Sequence, residues 1–255
     1  MKKFFTLAAI VLFMMTSCSS DDQTNNIDNT DNNNPGDGTL LVKTIDVFDG
    51  ETVTANYSYD NNRLKLIDAT DGSKTSYFYE NDNLSKIEIT YGTKLVLRWT
   101  FTYNNANRLT EFIRYSYEDM QGNKKTFSYN DNGTVSYNSY FGNHNTQETL
   151  NETALITLTN GNISRYERII DGQTEPYSVI NYHYDNNSDP LKDKISNEVM
   201  AIAFKDGVVN NLVKQTGPTG SEYLTVTYTY NDNGLPATSV EKESIYTRRT
   251  QYFYQ

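Results

Sequence analysis

One phrase recurs from end to end of this chain: an aromatic residue, a spacer, Tyr, then Asp, Asn or Glu, a short polar turn and an apolar residue. It reads Tyr57-Ser58-Tyr59-Asp60 before Leu64, Tyr77-Phe78-Tyr79-Glu80 before Leu84, and Phe101-Thr102-Tyr103-Asn104 before Leu109. Later copies are Phe127-Ser128-Tyr129-Asn130 before Val135, Tyr182-His183-Tyr184-Asp185 before Leu191, and Tyr228-Thr229-Tyr230-Asn231 before Leu235. Self-similarity at a period of roughly 20 to 50 residues means a fold built by stacking one supersecondary unit.

The unit reads as a β-hairpin. Val53, Ala55, Tyr57 and Tyr59 alternate with polar residues, the period-two pattern of a strand with one buried face. Asp60-Asn61-Asn62 tolerates left-handed backbone angles and turns the chain, and Arg63 to Ile67 returns. The same reading puts Leu95, Leu97, Trp99, Phe101 and Tyr103 on one face, followed by Leu109, Glu111, Ile113, Tyr115 and Tyr117 on one face of the return strand. Degenerate turns are expected at Leu158 to Ile163 and at Phe204-Lys205-Asp206-Gly207-Val208. The prediction is an all-β chain of about eight hairpins, or 15 to 18 strands, forming one long curved or closed meandering sheet. Its last strand, Tyr252-Phe253-Tyr254, has no successor and is free to pair with an earlier strand and close the sheet. Pro190, Leu191, Ile195, Val199 and Ile202 suggest a short helix near 190–203 capped by Asp189, although Val199 to Phe204 reads equally as a strand.

Residues 1–17 carry the parts of a secretory signal: Lys2 and Lys3, an apolar run from Phe4 to Met15, and small residues after it. The apolar run falls short of the roughly 20 residues that span a bilayer as a helix. Residues 18–38 are almost entirely Ser, Asp, Asn, Thr, Gln, Gly and Pro, a composition that cannot offset the entropy of ordering and predicts a disordered tether. Residues 39–255 are the repeat domain. Removal of the signal moves the formal charge from −10 to −12, which disfavours a nucleic-acid partner.

Met15-Thr16-Ser17-Cys18 resembles the lipobox of bacterial lipoproteins, and Ser19-Ser20-Asp21-Asp22 resembles the acidic export tag of Bacteroidetes surface lipoproteins. These resemblances imply lipid attachment at Cys18, the chain's single cysteine, and anchorage in the outer membrane facing the cell surface, with the inner leaflet of the outer membrane as the alternative. The repeat itself resembles the YD-repeat, or Rhs-type, proteins, with Tyr57-Ser58-Tyr59-Asp60-Asn61-Asn62-Arg63-Leu64 as the nearest copy. It looks more like a short YD-like lipoprotein of Bacteroidetes than a full member. Large members of that family wind their repeats into a shell around a toxin, and eight hairpins are too few for that, so the resemblance carries over a sheet rather than encapsulation.

Chemistry-bearing patterns are sparse. The two histidines, His144 and His183, read as a loop residue and an outward strand residue, and no Gly-x-Ser-x-Gly elbow occurs. Asp60, Glu80, Asp131, Asp185 and Asp232 belong to the repeated turns, where residues ordinarily serve the repeat rather than a glycosidase pair. Asn130-Asp131-Asn132-Gly133 and Asn231-Asp232-Asn233-Gly234 resemble calcium loops but lack the closing acid. No catalytic residues, cofactor or metal are expected. Trp99 is either the largest core side chain or, with Tyr103, a platform for a ligand. The expected function is a non-catalytic, lipid-anchored binding module for a glycan or protein partner. Two alternatives are a structural or assembly component of the envelope and, less favoured, a surface enzyme acting on a polymer. A transmembrane barrel is conceivable from the alternating strands, but the lipobox and the tether argue against it.

Overall fold

The computed structural model describes residues 39–169, 175–243 and 246–255. Sixteen antiparallel strands follow one another around a closed barrel. They are β1 (Leu41–Phe48), β2 (Glu51–Asp60), β3 (Arg63–Ala69), β4 (Ser73–Glu80), β5 (Asn83–Tyr91), β6 (Lys94–Tyr103), β7 (Leu109–Ser116) and β8 (Gln121–Tyr129). The second half comprises β9 (Thr134–Asn143), β10 (Gln147–Thr159), β11 (Asn162–Ile169), β12 (Ser178–Ser188), β13 (Asn210–Thr216), β14 (Glu222–Tyr230), β15 (Pro236–Glu243) and β16 (Tyr246–Tyr254). Closure is made by β16 on β1, with Thr250 opposite Asp46 and Tyr252 opposite Thr44. A closed antiparallel meander of sixteen strands falls within the 15 to 18 expected from the sequence, and the last strand pairs with the first to close it.

The turns explain the repeat. Asn61 and Asn62 both adopt positive φ, as do Asn81 and Asp82, and Asn160 and Gly161. This double left-handed conformation makes the two-residue hairpin turn whose twist matches that of its strands. The longer turns are held by their own side chains: Asn104 Oδ1 accepts from the N–H groups of Ala106 and Arg108, and Asn231 Oδ1 from those of Asn233 and Leu235.

Just past each of these turns the register slips by one residue. Tyr59 faces Leu64 while Ser58 faces Leu66, and the slip recurs at Tyr79 against Leu84, Tyr103 against Leu109, and Tyr230 against Pro236. Such a bulge puts residues three apart on the same face. Leu64 and Ile67, Leu84 and Ile87, and Leu109 and Phe112 are therefore all buried. The single face expected for Leu109, Glu111, Ile113, Tyr115 and Tyr117 is thus corrected: Phe112 turns inward and Ile113 lies opposite the outward Thr100.

The second tyrosine of the repeat has a fixed task. Its hydroxyl donates to the carbonyl of the apolar residue that opens the preceding return strand: Tyr79 to Leu64 at 2.9 Å, Tyr103 to Leu84 at 2.7 Å, and Tyr129 to Leu109 at 2.9 Å. Tyr59 binds Leu41 and Tyr254 binds Pro236 in the same way, at 2.7 and 2.8 Å. A ladder of tyrosines thus laces one end of the barrel, each bond worth about 1 kcal/mol net.

The connection between β12 and β13 folds back into this laced end as a plug. Ser196 caps a one-turn helix, α1 (Asn197–Val199), which continues as a π-helical turn, Met200–Phe204. Val199, Met200, Ala201, Ile202 and Ala203 are buried. The helix is shorter than the expected span and Asp189 does not cap it. Asp189 Oδ1 instead accepts from Leu191 N–H at 2.7 Å, and turns closed by Lys192 and Lys194 precede the helix. Phe204 to Val208 is not a hairpin: Lys205 takes a left-handed conformation at φ 62° and Asp206 N–H closes the last turn on Met200.

Candidate functional site

The strands' two faces decide what the barrel can touch. Inward rows are apolar and aromatic: Val53, Ala55 and Tyr57 on β2, Trp99 and Phe101 on β6, Val135 and Tyr137 on β9. Outward rows are polar: Thr52, Thr54, Asn56 and Ser58 on β2, Arg98, Thr100 and Thr102 on β6, and Thr225, Thr227 and Thr229 on β14. Ion pairs lie across this outer wall, including Arg98–Glu88 and Lys74–Asp68, both 2.8 Å. A lipid-facing barrel needs the opposite arrangement, an apolar outer band, and each basic residue at mid-bilayer costs about 2–4 kcal/mol. No helix among the described residues is long and apolar enough to cross a membrane.

The plug closes the laced end. Lys194 carbonyl accepts from Leu64 N–H at 2.8 Å, continuing the edge of the wall. Glu198 accepts from Leu109 N–H at 3.2 Å, from the Tyr129 hydroxyl and from Arg108 Nε at 3.0 Å. Within the barrel, Phe204 packs edge-on against Trp99 at 5.0 Å, Phe112 at 5.5 Å and Phe101 at 6.0 Å between ring centroids. Both ends of the domain leave from this same rim, Leu40 and Gln255 exchanging N–H and carbonyl.

Beyond Phe204, toward the other end, the inward rows turn ionic. Lys125 lies in the row of Phe127 and Tyr129, Glu152 in that of Ala154 and Ile156, and Arg168 beside Tyr166. Arg168 Nε is 2.7 Å from Glu152, and Glu152 Oε1 accepts from the Tyr137 hydroxyl at 2.6 Å and Tyr166 at 3.3 Å. Lys125 Nζ donates to Ala203 carbonyl at 2.9 Å. Lys205 Nζ sits 3.7 Å from the Tyr166 ring centroid and hydrogen-bonds no described residue. Arg168 faces inward yet its side chain is 35% exposed, so water reaches the cluster at Arg168 from this far end.

The electrostatics follow from this placement. Burial pushes Lys125 down to about 7 and Lys205 to about 8, the former helped by repulsion from Lys205. Burial alone raises the Glu152 carboxyl, but the Tyr137 hydrogen bond and the charges of Lys205, Arg168 and Lys125 outweigh it and hold the group below its ordinary range. Half the circuit away, on β15, β16 and β1, the inward groups are acidic. Asp46 accepts from Thr250 at 2.7 Å, Glu241 lies 3.9 Å from Arg248, and burial raises both acids. Asp189 is raised to about 7 by burial, and Asp206 is raised well above its ordinary value for the same reason.

The residues singled out in the sequence fall as follows. Trp99 is 6% exposed and faces the plug, and the Tyr103 hydroxyl is spent on Leu84 carbonyl, so neither stands on the outer wall. His183 is outward, 3.2 Å from Thr216 Oγ1, and His144 is a loop residue flanked by Tyr115 and Tyr117 at 4.9 Å. In the calcium-like turn Asn132 Oδ1 accepts from Thr134, and among the described residues no three metal-ligating side chains cluster. Cys18, the signal 1–17 and the tether 18–38 lie outside the described residues. Missed in the sequence were Lys125, Glu152, Arg168 and Lys205; for the three strand residues the available signal was charge at positions where the strand pattern demands an apolar side chain. A groove of about 760 Å³ on the outer wall, from the β2–β3 turn to β6, presents the exposed Phe78 beneath Lys86 Nζ at 4.0 Å.

The class defined by these observations is a closed antiparallel β-barrel with a polar outer wall and an internal plug. No family model matches the chain, and no curated protein matches its sequence. Among solved structures it is similar to a porin-like protein from Bacteroides uniformis ATCC 8492, at 16% identity and a TM-score of 0.48, covering 86% of this chain and 99% of that one.

Proposed function

We propose that this protein is a non-catalytic, lipid-anchored binding module of the outer envelope, a short YD-like repeat lipoprotein held at the cell surface through Cys18 and not a channel through the bilayer. The observation that carries this reading is the orientation of the strand faces: apolar rows pack on the plug while Thr, Ser, Lys, Arg and Glu cover the wall. The tether leaves from the plugged rim, which on this reading faces the membrane. The far end then faces outward. That end gathers exposed apolar residues, Met120, Phe141, Leu150, Tyr177 and Tyr223, on β-strand ends and loops. This grouping suits capture of a partner at the mouth, and a structural role in an envelope assembly is the other reading it favours.

The test is Cys18→Ala in the full chain. The variant is expected to leave the membrane fraction and appear as a folded water-soluble protein. Retention in the membrane after carbonate washing would refute both the anchor and the polar-wall reading.

A further inference from the structure

The ionic cluster inside the far end is unbalanced. Three cations, Lys125, Lys205 and Arg168, share one carboxylate, Glu152, which Arg168 Nε approaches to 2.7 Å and Lys205 attracts from beyond ion-pair distance. Lys125 has one acceptor, the Ala203 carbonyl, and rests over the Phe112 and Tyr137 rings at 5.5 and 5.1 Å. Lys205 lies over the Tyr166 ring at 3.7 Å and the Tyr137 ring at 5.9 Å, and the one carboxylate that attracts it, Glu152, is shared with Arg168 and Lys125. Ammonium groups removed from water ordinarily find an anion, because unpaired buried charge is costly. Nothing in the fold of the plug requires Lys205. Its left-handed backbone suits Asn or Gly better than Lys, so the residue's charge needs an explanation outside local structure.

We propose that Lys205 and Lys125 form an anion-binding subsite inside the mouth, taking the carboxylate or sulfate group of an acidic saccharide that enters from the far end. This rests on reading the barrel as a binding module and names the chemistry of its ligand. The aromatic residues at the mouth supply faces for a sugar ring. Tyr177, 64% exposed, lies there with the Arg168 guanidinium 5.8 Å from its ring centroid. An incoming anion supplies the acceptor that Lys205 lacks and replaces lost hydration with charge-assisted hydrogen bonds.

The groups facing the two ammoniums are Glu152 from β10, Arg168 and Tyr166 from β11, and Tyr137 from β9. The Glu152 carboxyl is held below its ordinary range by the Tyr137 hydrogen bond and the surrounding cations. Charged lysine is required for the anion, and burial lowers both lysines toward neutrality. Affinity is therefore expected to be highest below neutrality and to fall as the solution turns alkaline.

The experiment uses the full-length protein in nonionic detergent, titrated calorimetrically with glucuronate and, as its neutral counterpart, glucose. Glucuronate is expected to bind at pH 6.5 and to weaken at least about tenfold at pH 9, with glucose much weaker at both. Lys205→Asn, chosen because Asn fits the left-handed backbone, is expected to lower glucuronate affinity by about tenfold or more, the loss typical of a hydrogen bond to a charged group. Thermal unfolding of that variant establishes that it is folded. If glucose binds as well as glucuronate, or if folded Lys205→Asn keeps its glucuronate affinity, the subsite is refuted. If neither sugar nor inorganic sulfate binds the wild type at pH 6.5, it is also refuted. Either failure leaves the lipid-anchored barrel standing, because membrane release by Cys18→Ala reads that separately.

Discussion

Glu198 is the point at which the plug is fastened to the wall, and its removal has a calculable cost. Its carboxylate accepts from the main-chain N–H of Leu109, from the Tyr129 hydroxyl and from Arg108. Leu109 is fully buried, so Glu198→Ala leaves its N–H without a partner, at about 1–3 kcal/mol. Tyr129 keeps its bond to Leu109 carbonyl and loses only the second acceptor. The Arg108 pair is partly exposed, its two side chains 44% and 30% accessible, and adds less than about 1 kcal/mol. The sum is about 3 kcal/mol. For a domain of this size that lowers the midpoint of thermal unfolding by about 6–12 °C. Glu198→Gln keeps an amide oxygen for Leu109 and is expected to lose less than half as much. Differential scanning calorimetry at neutral pH reads both. A Glu198→Ala midpoint within about 1 °C of the wild type would refute the role of this carboxylate as the plug's fastening.

Other outcomes follow from the same geometry. Trp99→Ala removes the ring packed on Phe204 and is expected to cost about 3–5 kcal/mol, read from urea midpoints; a loss below about 1 kcal/mol would mean the ring is not core. Tyr103→Phe deletes one bond of the tyrosine ladder and is expected to cost about 1 kcal/mol, with Tyr59→Phe, on a distant strand, additive to it. Asp189 has a folded-state value raised to about 7 from its ordinary 3.8, so the folded protein holds its proton more tightly than the unfolded chain. Its contribution to stability is full below about 4 and is lost as pH rises through 7. Asp189→Asn should therefore flatten the fall in stability between those values, as measured by urea denaturation at a series of pH values, and an unchanged slope would count against it.

The hairpins and turns were legible because they are local. A Tyr, a polar turn with residues that accept positive φ, and an apolar residue fall within eight or nine positions, and all of their tasks are performed there or one hairpin away. The bulge after each turn was less legible. The apolar spacing of three in Leu64 and Ile67, or Leu84 and Ile87, interrupts a period of two, and only the register shows that both residues face inward. The buried run from Val199 to Ala203 is apolar on every side, so its pattern fitted strand and helix equally until closure of the barrel surrounded it. The ionic cluster was hidden for a different reason. Lys125, Glu152, Arg168 and Lys205 lie on three strands and the plug, and their neighbourhood exists only once β8 to β11 form a wall around Phe204. What the sequence did carry was the anomaly of Lys125 two residues before Phe127, and of Glu152 two before Ala154, each a charge in line with apolar residues.

The central claim is that the polar wall faces water and the barrel does not span a bilayer. It is tested most directly by flotation of detergent-free residues 39–255 with phospholipid vesicles on a density gradient, with the oligomeric state checked by light scattering. The account predicts a soluble monomer that stays with the dense fraction and leaves a planar bilayer non-conducting. A chain that requires detergent, floats with the vesicles and opens conducting pores would contradict it.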